Sequence, residues 1–330
     1  MEEEKIVSLI KENYDFDVNS IEKVKGSYKI NSKEGIYCLK IIEYEFKHFN
    51  FILSAMLYLQ ERGFDAIPKI LTNKNNRKYI RVGKKYGYIT PWILSRVSNY
   101  DNVLELEKVT QKLAELHKYS EGFVTDHHMK PRIGWFNWIN VFETRKSEII
   151  DFKNRIDNKS KKTEFDRLYL EYIDEELERA EKSIYSLKTS NYLEIMCRQY
   201  KNKGFCHHDY ANHNVLIDKN YNISIVDFDY CILDSYLHDL SSLLLRVMKH
   251  GKWDISKANL IINNYSKINK VNEEEIYIMR YFMRFPQDFW QLGIQKYWEN
   301  KAWDEEVFLN KLTRYIEDRD EKEEFLDSFI

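Results

Sequence analysis

Phe205-Cys206-His207-His208-Asp209-Tyr210-Ala211-Asn212-His213-Asn214-Val215-Leu216-Ile217 runs through a short turn, Asp218-Lys219-Asn220, into Ile223-Ser224-Ile225-Val226-Asp227-Phe228-Asp229. Two β-rich segments joined as a hairpin therefore flank a polar loop. Asp209 and Asn214 lie five residues apart on that loop, and Asp227 closes the apolar strand Ile223–Val226. One carboxylate, one amide and a second carboxylate then face a common space. That donor set suits phosphoryl transfer: a carboxylate orients and deprotonates an acceptor hydroxyl, while an amide oxygen and another carboxylate hold Mg²⁺ against phosphates. As turn and capping residues the same side chains would have ordinary structural roles. A metal cluster of His207, His208 and His213 with Asp209 is disfavoured, because adjacent histidines on an extended segment point to opposite faces.

Working outward, the first hundred residues alternate turns with strand-like segments at Ile21–Lys25, Tyr28–Asn31, Ile36–Ile42, Lys69–Thr72, Lys78–Val82 and Tyr86–Trp92. A short helix is expected near Ile6–Asn13, and a longer one from Phe46 to Arg62 ends against Gly63. Tyr37-Cys38-Leu39-Lys40 is an apolar strand ending in a lysine, the arrangement that brings an ammonium to nucleotide phosphates. Gly26 and Ser27 sit at the turn where backbone amides could cradle phosphate. Thr90-Pro91-Trp92 falls where an adenine edge would meet backbone; proline has no N–H, so the donor is assigned to Trp92. After Trp92 the pattern is helical. Asn102 caps one helix, Val141–Tyr185 forms a charged stretch broken near Asn158-Lys159-Ser160, and Asn272 with Glu275 forms a capping box before Pro286 interrupts. The expected organisation is α+β: residues 1–92 a small β-sheet lobe with one main helix, binding nucleotide, and residues 93–330 a larger, mostly helical lobe carrying the catalytic loop and the acceptor site.

Composition narrows the classes. Ten glycines and four prolines in 330 residues exclude collagen, flexible linkers and turn-dense barrels. With 51 Lys and Arg against 53 Asp and Glu, the net charge of −2 gives no reason to expect nucleic acid or an anionic membrane as partner. The acidic start Met1-Glu2-Glu3-Glu4 lacks a signal-peptide core, and no apolar run is long enough to span a bilayer. Four scattered cysteines without CxxC spacing fit a reduced, cytoplasmic setting. The aromatic set Trp135, Trp138, Phe285, Phe289, Trp290, Tyr297, Trp298 and Trp303 is expected mainly in the core, with an acceptor pocket as the alternative.

The ordered pair of motifs, H-x-D-x₄-N and a strand ending in D-F-x, resembles the protein-kinase-like superfamily in its small-molecule branch of aminoglycoside phosphotransferases and choline kinases. Ile52-Leu53-Ser54-Ala55-Met56-Leu57-Tyr58-Leu59-Gln60, Leu113-Ala114-Glu115-Leu116-His117, Asp227-Phe228-Asp229-Tyr230-Cys231 and Arg284-Phe285-Pro286-Gln287-Asp288-Phe289-Trp290 are similar to the CotS-type family of spore coat proteins. The resemblance implies a bilobal kinase-like fold, ATP and Mg²⁺ as cofactors, synthesis in the mother-cell cytoplasm and a place in the spore coat beside other coat proteins. It implies Asp209 as catalytic base, Lys40 as phosphate anchor with Gly26, Ser27, Thr90 and Trp92 around the nucleotide, and Asn214 and Asp227 as metal ligands. Asp229 would hold a second cation or stiffen its loop, and His207 and Asp239 would support the catalytic loop. The acceptor is an unidentified hydroxyl of a small molecule or glycan. Three departures weigh toward the alternative, an inactive kinase-fold structural component of the coat. The phosphate loop holds a single glycine, the Phe46–Arg62 helix has no central glutamate for Lys40, and His208 and Asp229 stand where glycines are usual.

Overall fold

The computed structural model describes residues 2–329 and divides into two compact units. One takes the residues up to Arg132 together with Lys203–Leu233; the other takes Ile133–Asn202 and the residues from Asp234 onward. The chain is α+β, with a small antiparallel sheet near its start and helices dominating the remainder. The nucleotide lobe expected over residues 1–92 lies wholly in the first unit. The segment from residue 93 is shared, because the polar loop and its hairpin join the first unit.

In the first unit, α1 (Glu2–Asn13) precedes β1 (Val18–Val24), β2 (Ser27–Ser32) and β3 (Ile36–Ile42). Then come α2 (Phe46–Glu61), β4 (Ile80–Val82), β5 (Lys85–Pro91), β6 (Arg96–Val97) and α3 (Val103–Ser120), capped by Asn102 accepting from Leu104 N–H and Glu105 N–H. The sheet order is β1-β2-β3-β5-β4, all neighbours antiparallel. Register places Tyr28, Leu39 and Ile89 in one row across β2, β3 and β5. These residues pack under Ile6, Ile10 and Tyr14 of the α1 region, closing one face. Because side chains alternate along a strand, the next row, Ser27, Lys40 and Tyr88, points the other way. The expected strand at Lys69–Thr72 is irregular; its backbone bond is Leu71 N–H to Ile89 carbonyl, 2.8 Å. A second sheet, β6-β7-β8, includes β7 (Val215–Ile217) and β8 (Ile223–Ile225). The Asp218 carboxylate accepts from Asn220 and Asn222 N–H and so fixes the hairpin between them.

The second unit contains α4 (Trp138–Asp157), α5 (Glu164–Thr189), α6 (Tyr192–Tyr200), α7 (Tyr236–Met248), α8 (Ile255–Ser266), α9 (Glu273–Arg284), α10 (Gln287–Gly293) and α11 (Glu305–Ser328). The expected break of the charged stretch falls between α4 and α5, where Thr163 and Asp166 form a capping box. At α9, Glu275 accepts from Asn272 N–H, 2.9 Å. Most of the aromatic set is core: Phe289 stacks on Tyr169 at 3.9 Å and Phe285 on Phe142 at 4.1 Å. Trp298 is exposed and donates its indole N–H to Asp151, 2.9 Å. No helix among the described residues is long and apolar enough to cross a membrane.

Two glycines of the first sheet differ in what holds them. A Cβ on Gly87 would lie 2.7 Å from the Lys40 carbonyl oxygen and 3.1 Å from Leu39 Cδ1, inside the β3–β5 ladder. A Cβ on Gly26 would meet nothing nearer than Lys40 Nζ at 4.0 Å. Gly87→Ala is expected to destabilise the protein by about 1–3 kcal/mol by forcing the strands apart, and Gly26→Ala to change stability by about 0.5 kcal/mol or less. Urea unfolding of the two variants checks this; equal effects would contradict it.

Candidate active site

The Ser27–Lys40–Tyr88 row opens onto a cavity of 280 Å³ inside the first unit, close to the lower limit of about 300 Å³ for small-molecule pockets. Gly26, Met56, Thr90 and Trp92 contribute to its wall, and Lys40, Asn214 and Asp227 form a polar end.

Local backbone geometry explains that end. His207 is fully buried and bonds through Nε2 to the Val226 carbonyl, 2.9 Å, while its ring meets Phe228 edge-on at 4.6 Å. This ties the polar loop to the end of β8. His208 and Asp227 both take left-handed backbone, φ 69° and 65°, a conformation that costs a non-glycine residue about 1–2 kcal/mol. The physical reason glycine is usual before Asp209 is therefore present in the backbone, although histidine occupies the place. At the β1–β2 turn the left-handed residue is Lys25, φ 52°, not Gly26.

Asn214 donates from Nδ2 to both the carbonyl and the carboxylate of Asp209, 2.9 and 3.0 Å. Both neighbours are acceptors, so the amide nitrogen must face them and the amide oxygen turns elsewhere. Lys40 Nζ lies 2.9 Å from Asp227 Oδ1 and 3.1 Å from Asp229 Oδ2. Burial pulls the Lys40 ammonium down, yet Asp229 and Asp227 outweigh it and raise its pKa. Burial likewise pushes Asp227 up, but the Lys40 charge prevails and holds it below the ordinary carboxylate range. Asp229 is pushed up to about 6, chiefly by burial and then by Asp227, with Lys40 pulling the other way. Its Oδ1 is buried with no hydrogen-bond partner among the described residues.

Oxygen donors of this kind suit a hard divalent cation. Asn214 and Asp227, the latter's side chain 39% exposed, both line the cavity, and an amide oxygen with a carboxylate is a donor set that fits such an ion. Asp229 is not part of that cavity wall, and its Oδ2 lies 3.1 Å from Lys40 Nζ.

The structure brings together in the first unit Lys40, Gly26, Ser27, Thr90, His207, Asp209, Asn214, Asp227 and Asp229. Asp239 lies fully buried in the first turn of α7, in the second unit. One assignment is corrected: Trp92 cannot supply the adenine donor, because its N–H bonds the Ile36 carbonyl, 2.9 Å. Backbone groups alternate in direction along an extended strand, so with Trp92 facing β3 the Pro91 carbonyl and Ile93 N–H face away from it. Ile93 N–H has no hydrogen-bond partner among the described residues, and Ile93 lines the cavity. Pairing the strands from sequence would have disclosed this: Pro91 opposite Tyr37 fixes Trp92 toward Ile36.

The family model described as "Spore coat putative kinase YutH" matches residues 7–329. An aminoglycoside phosphotransferase from Alicyclobacillus acidocaldarius superposes with a TM-score of 0.85 at 21% identity, covering 98% of this chain and 94% of that one. Spectinomycin phosphotransferase APH(9)-Ia, in complex with ADP and spectinomycin, gives 0.72 at 15% identity, covering 99% and 98%. Amicoumacin kinase hAmiN, in complex with AMP-PNP, Ca²⁺ and Ami, gives 0.68 at 14% identity, covering 99% and 94%. At these identities the likeness is one of fold.

Asp229 titrates higher folded than unfolded, so the folded state holds the extra proton between about pH 4 and 6. Stability arising from this group is therefore present at low pH and lost as pH rises through about 6. Asp229→Asn should gain stability relative to the wild type across that window and hold the gain above it. Urea midpoints of both proteins from pH 4 to 8 check this; a pH-independent difference would contradict it.

Proposed function

The chain belongs to the YutH family of spore-coat kinase-like proteins, and from that premise we propose that it is an ATP- and Mg²⁺-dependent phosphotransferase acting on a hydroxyl of a small molecule or glycan. The observation that carries this reading is the convergence of Lys40, Asn214 and Asp227 on one cavity whose edge offers the free Ile93 N–H. Ile93 N–H and the Pro91 carbonyl would take the adenine edge, with Tyr88 and Met56 walling the pocket. Lys40 would neutralise phosphate charge, and the β1–β2 turn at Gly26 and Ser27 would cover it. Asn214 and Asp227 would hold Mg²⁺, which when bound draws off charge from the phosphate oxygens. Asp209 would accept the proton of the attacking hydroxyl, its carboxylate held in place by Asn214 Nδ2. Family membership supports a location in the spore coat, with other coat proteins as proposed partners.

Isothermal titration should show MgATP binding to the wild type. Asp209→Ala should keep that affinity and lose transfer to a screened panel of hydroxylated metabolites and sugars by roughly 10²–10⁴-fold. Binding without transfer to any acceptor, unaltered by Asp209→Ala, would favour a kinase-fold coat component without turnover. No nucleotide binding at all would overturn the reading.

A further inference from the structure

In kinases built on this plan the strand lysine is paired by a glutamate from the helix that follows it. Here α2 reads Phe-Lys-His-Phe-Asn-Phe-Ile-Leu-Ser-Ala-Met-Leu-Tyr-Leu-Gln-Glu, with its single acid, Glu61, in the last turn. The side chain it contributes to the cavity is Met56, and Phe49, Ile52, Ala55 and Met56 are all buried. The acids just before the helix are engaged elsewhere: Glu43 pairs with Lys85, and Glu45 with Lys130 at 2.6 Å. Among the described residues no carboxylate of α2 pairs with Lys40.

Lys40 is nonetheless held from two sides. Asp227 Oδ1 grips it at 2.9 Å from the cavity, and Asp229 Oδ2 at 3.1 Å from a more enclosed position, with side chains 39% and 21% exposed respectively. The two acids come from the same short segment, whose left-handed turn at Asp227 and following 3₁₀ turn Phe228–Tyr230 let residues 227 and 229 address one ammonium. Phe228 between them is fully buried and anchors the segment against His207.

We propose that Asp229 is the positioning residue for Lys40, replacing the missing helix glutamate, and that it is not a metal ligand. The division of labour follows from placement: Asp227 holds Lys40 through Oδ1 and also lines the cavity where it can meet a cation, while Asp229 is off the cavity wall and keeps the ammonium in place. A lysine clamped by the catalytic segment itself is independent of α2, so a swing of that helix does not disassemble the site. The inference rests on the phosphotransferase reading for what the lysine is held to do, but not for how it is held.

A double-mutant cycle in urea unfolding, without nucleotide, tests the clamp. The changes in unfolding constant for Lys40→Met and Asp229→Asn should fail to multiply in the double variant by roughly tenfold or more; multiplicative effects would overturn the proposal. Because Lys40→Met leaves two adjacent acids facing no cation, a second measurement that does not depend on the folding of that variant uses Asp229→Asn alone. Acylation of Lys40 by a water-soluble N-hydroxysuccinimide ester, followed by mass spectrometry, should quicken several-fold in that variant; an unchanged rate would count against the clamp. Mn²⁺ titrations at fixed ATP complete the test. Asp227→Asn should move the half-saturating Mn²⁺ concentration strongly and Asp229→Asn should not; equal shifts would make Asp229 a metal ligand and overturn the assignment. A wild type that binds no nucleotide would remove the proposed activity, while the unfolding cycle and the acylation rate would still decide the clamp.

Discussion

One ammonium organises the site. Lys40 sits between Asp227 and Asp229 with its side chain 13% exposed, so its enclosed charge is met by two carboxylates. The sheet register delivers the lysine. Pairing of Lys40 with Ser27 on one side and Tyr88 on the other points it away from the α1-covered face. The acids are delivered by the end of β8, where His207 bonds the Val226 carbonyl and Phe228 is locked into the core. The strand and the loop lie 187 residues apart in the chain, and this ion pair joins them.

The two acids that hold Lys40 differ in what else they face. Both commit one oxygen to the ammonium, and of the two only Asp227 also lines the cavity, where a cation would need an oxygen facing open space. Asp227 keeps its exposure to the cavity and Asp229 gives it up, and the unpartnered Oδ1 of Asp229 is the energetic cost of that enclosure. Asn214 solves a similar problem differently, by turning its donor toward Asp209 so that its acceptor is left over.

Much of this was legible in the residues. The β-hairpin at Asp218-Lys219-Asn220, the strand ending in Lys40, the Asn102 and Asn272 caps and the helical remainder all follow from turn chemistry and periodicity, which act over a few residues. What was not legible depended on long-range pairing. The strand expected at Lys69–Thr72 has apolar character but lies beyond the β4 edge pairing, and its backbone bond to β5 is Leu71 N–H to the Ile89 carbonyl. Trp92 looked like the adenine donor because Pro91 has none, yet its N–H belongs to the β3 ladder and Ile93 inherits the place. For Asp229 the resemblance left open a second cation or a stiffened loop, and the contact with Lys40 depends on the pairing of two distant segments. The scarcity of glycine proved less restrictive than its pattern implied, since His208, Asp227 and Lys25 occupy left-handed backbone that glycine would take without strain.

The proposed nucleotide site is the cavity lined by Lys40, with Ile93 N–H at its edge. Amide hydrogen exchange resolved to single residues, with and without MgATP, tests it most directly. The account predicts that nucleotide slows exchange at Ile93 while Trp92, already bonded to Ile36, shows little change. Exchange at Ile93 that is indifferent to MgATP would contradict it.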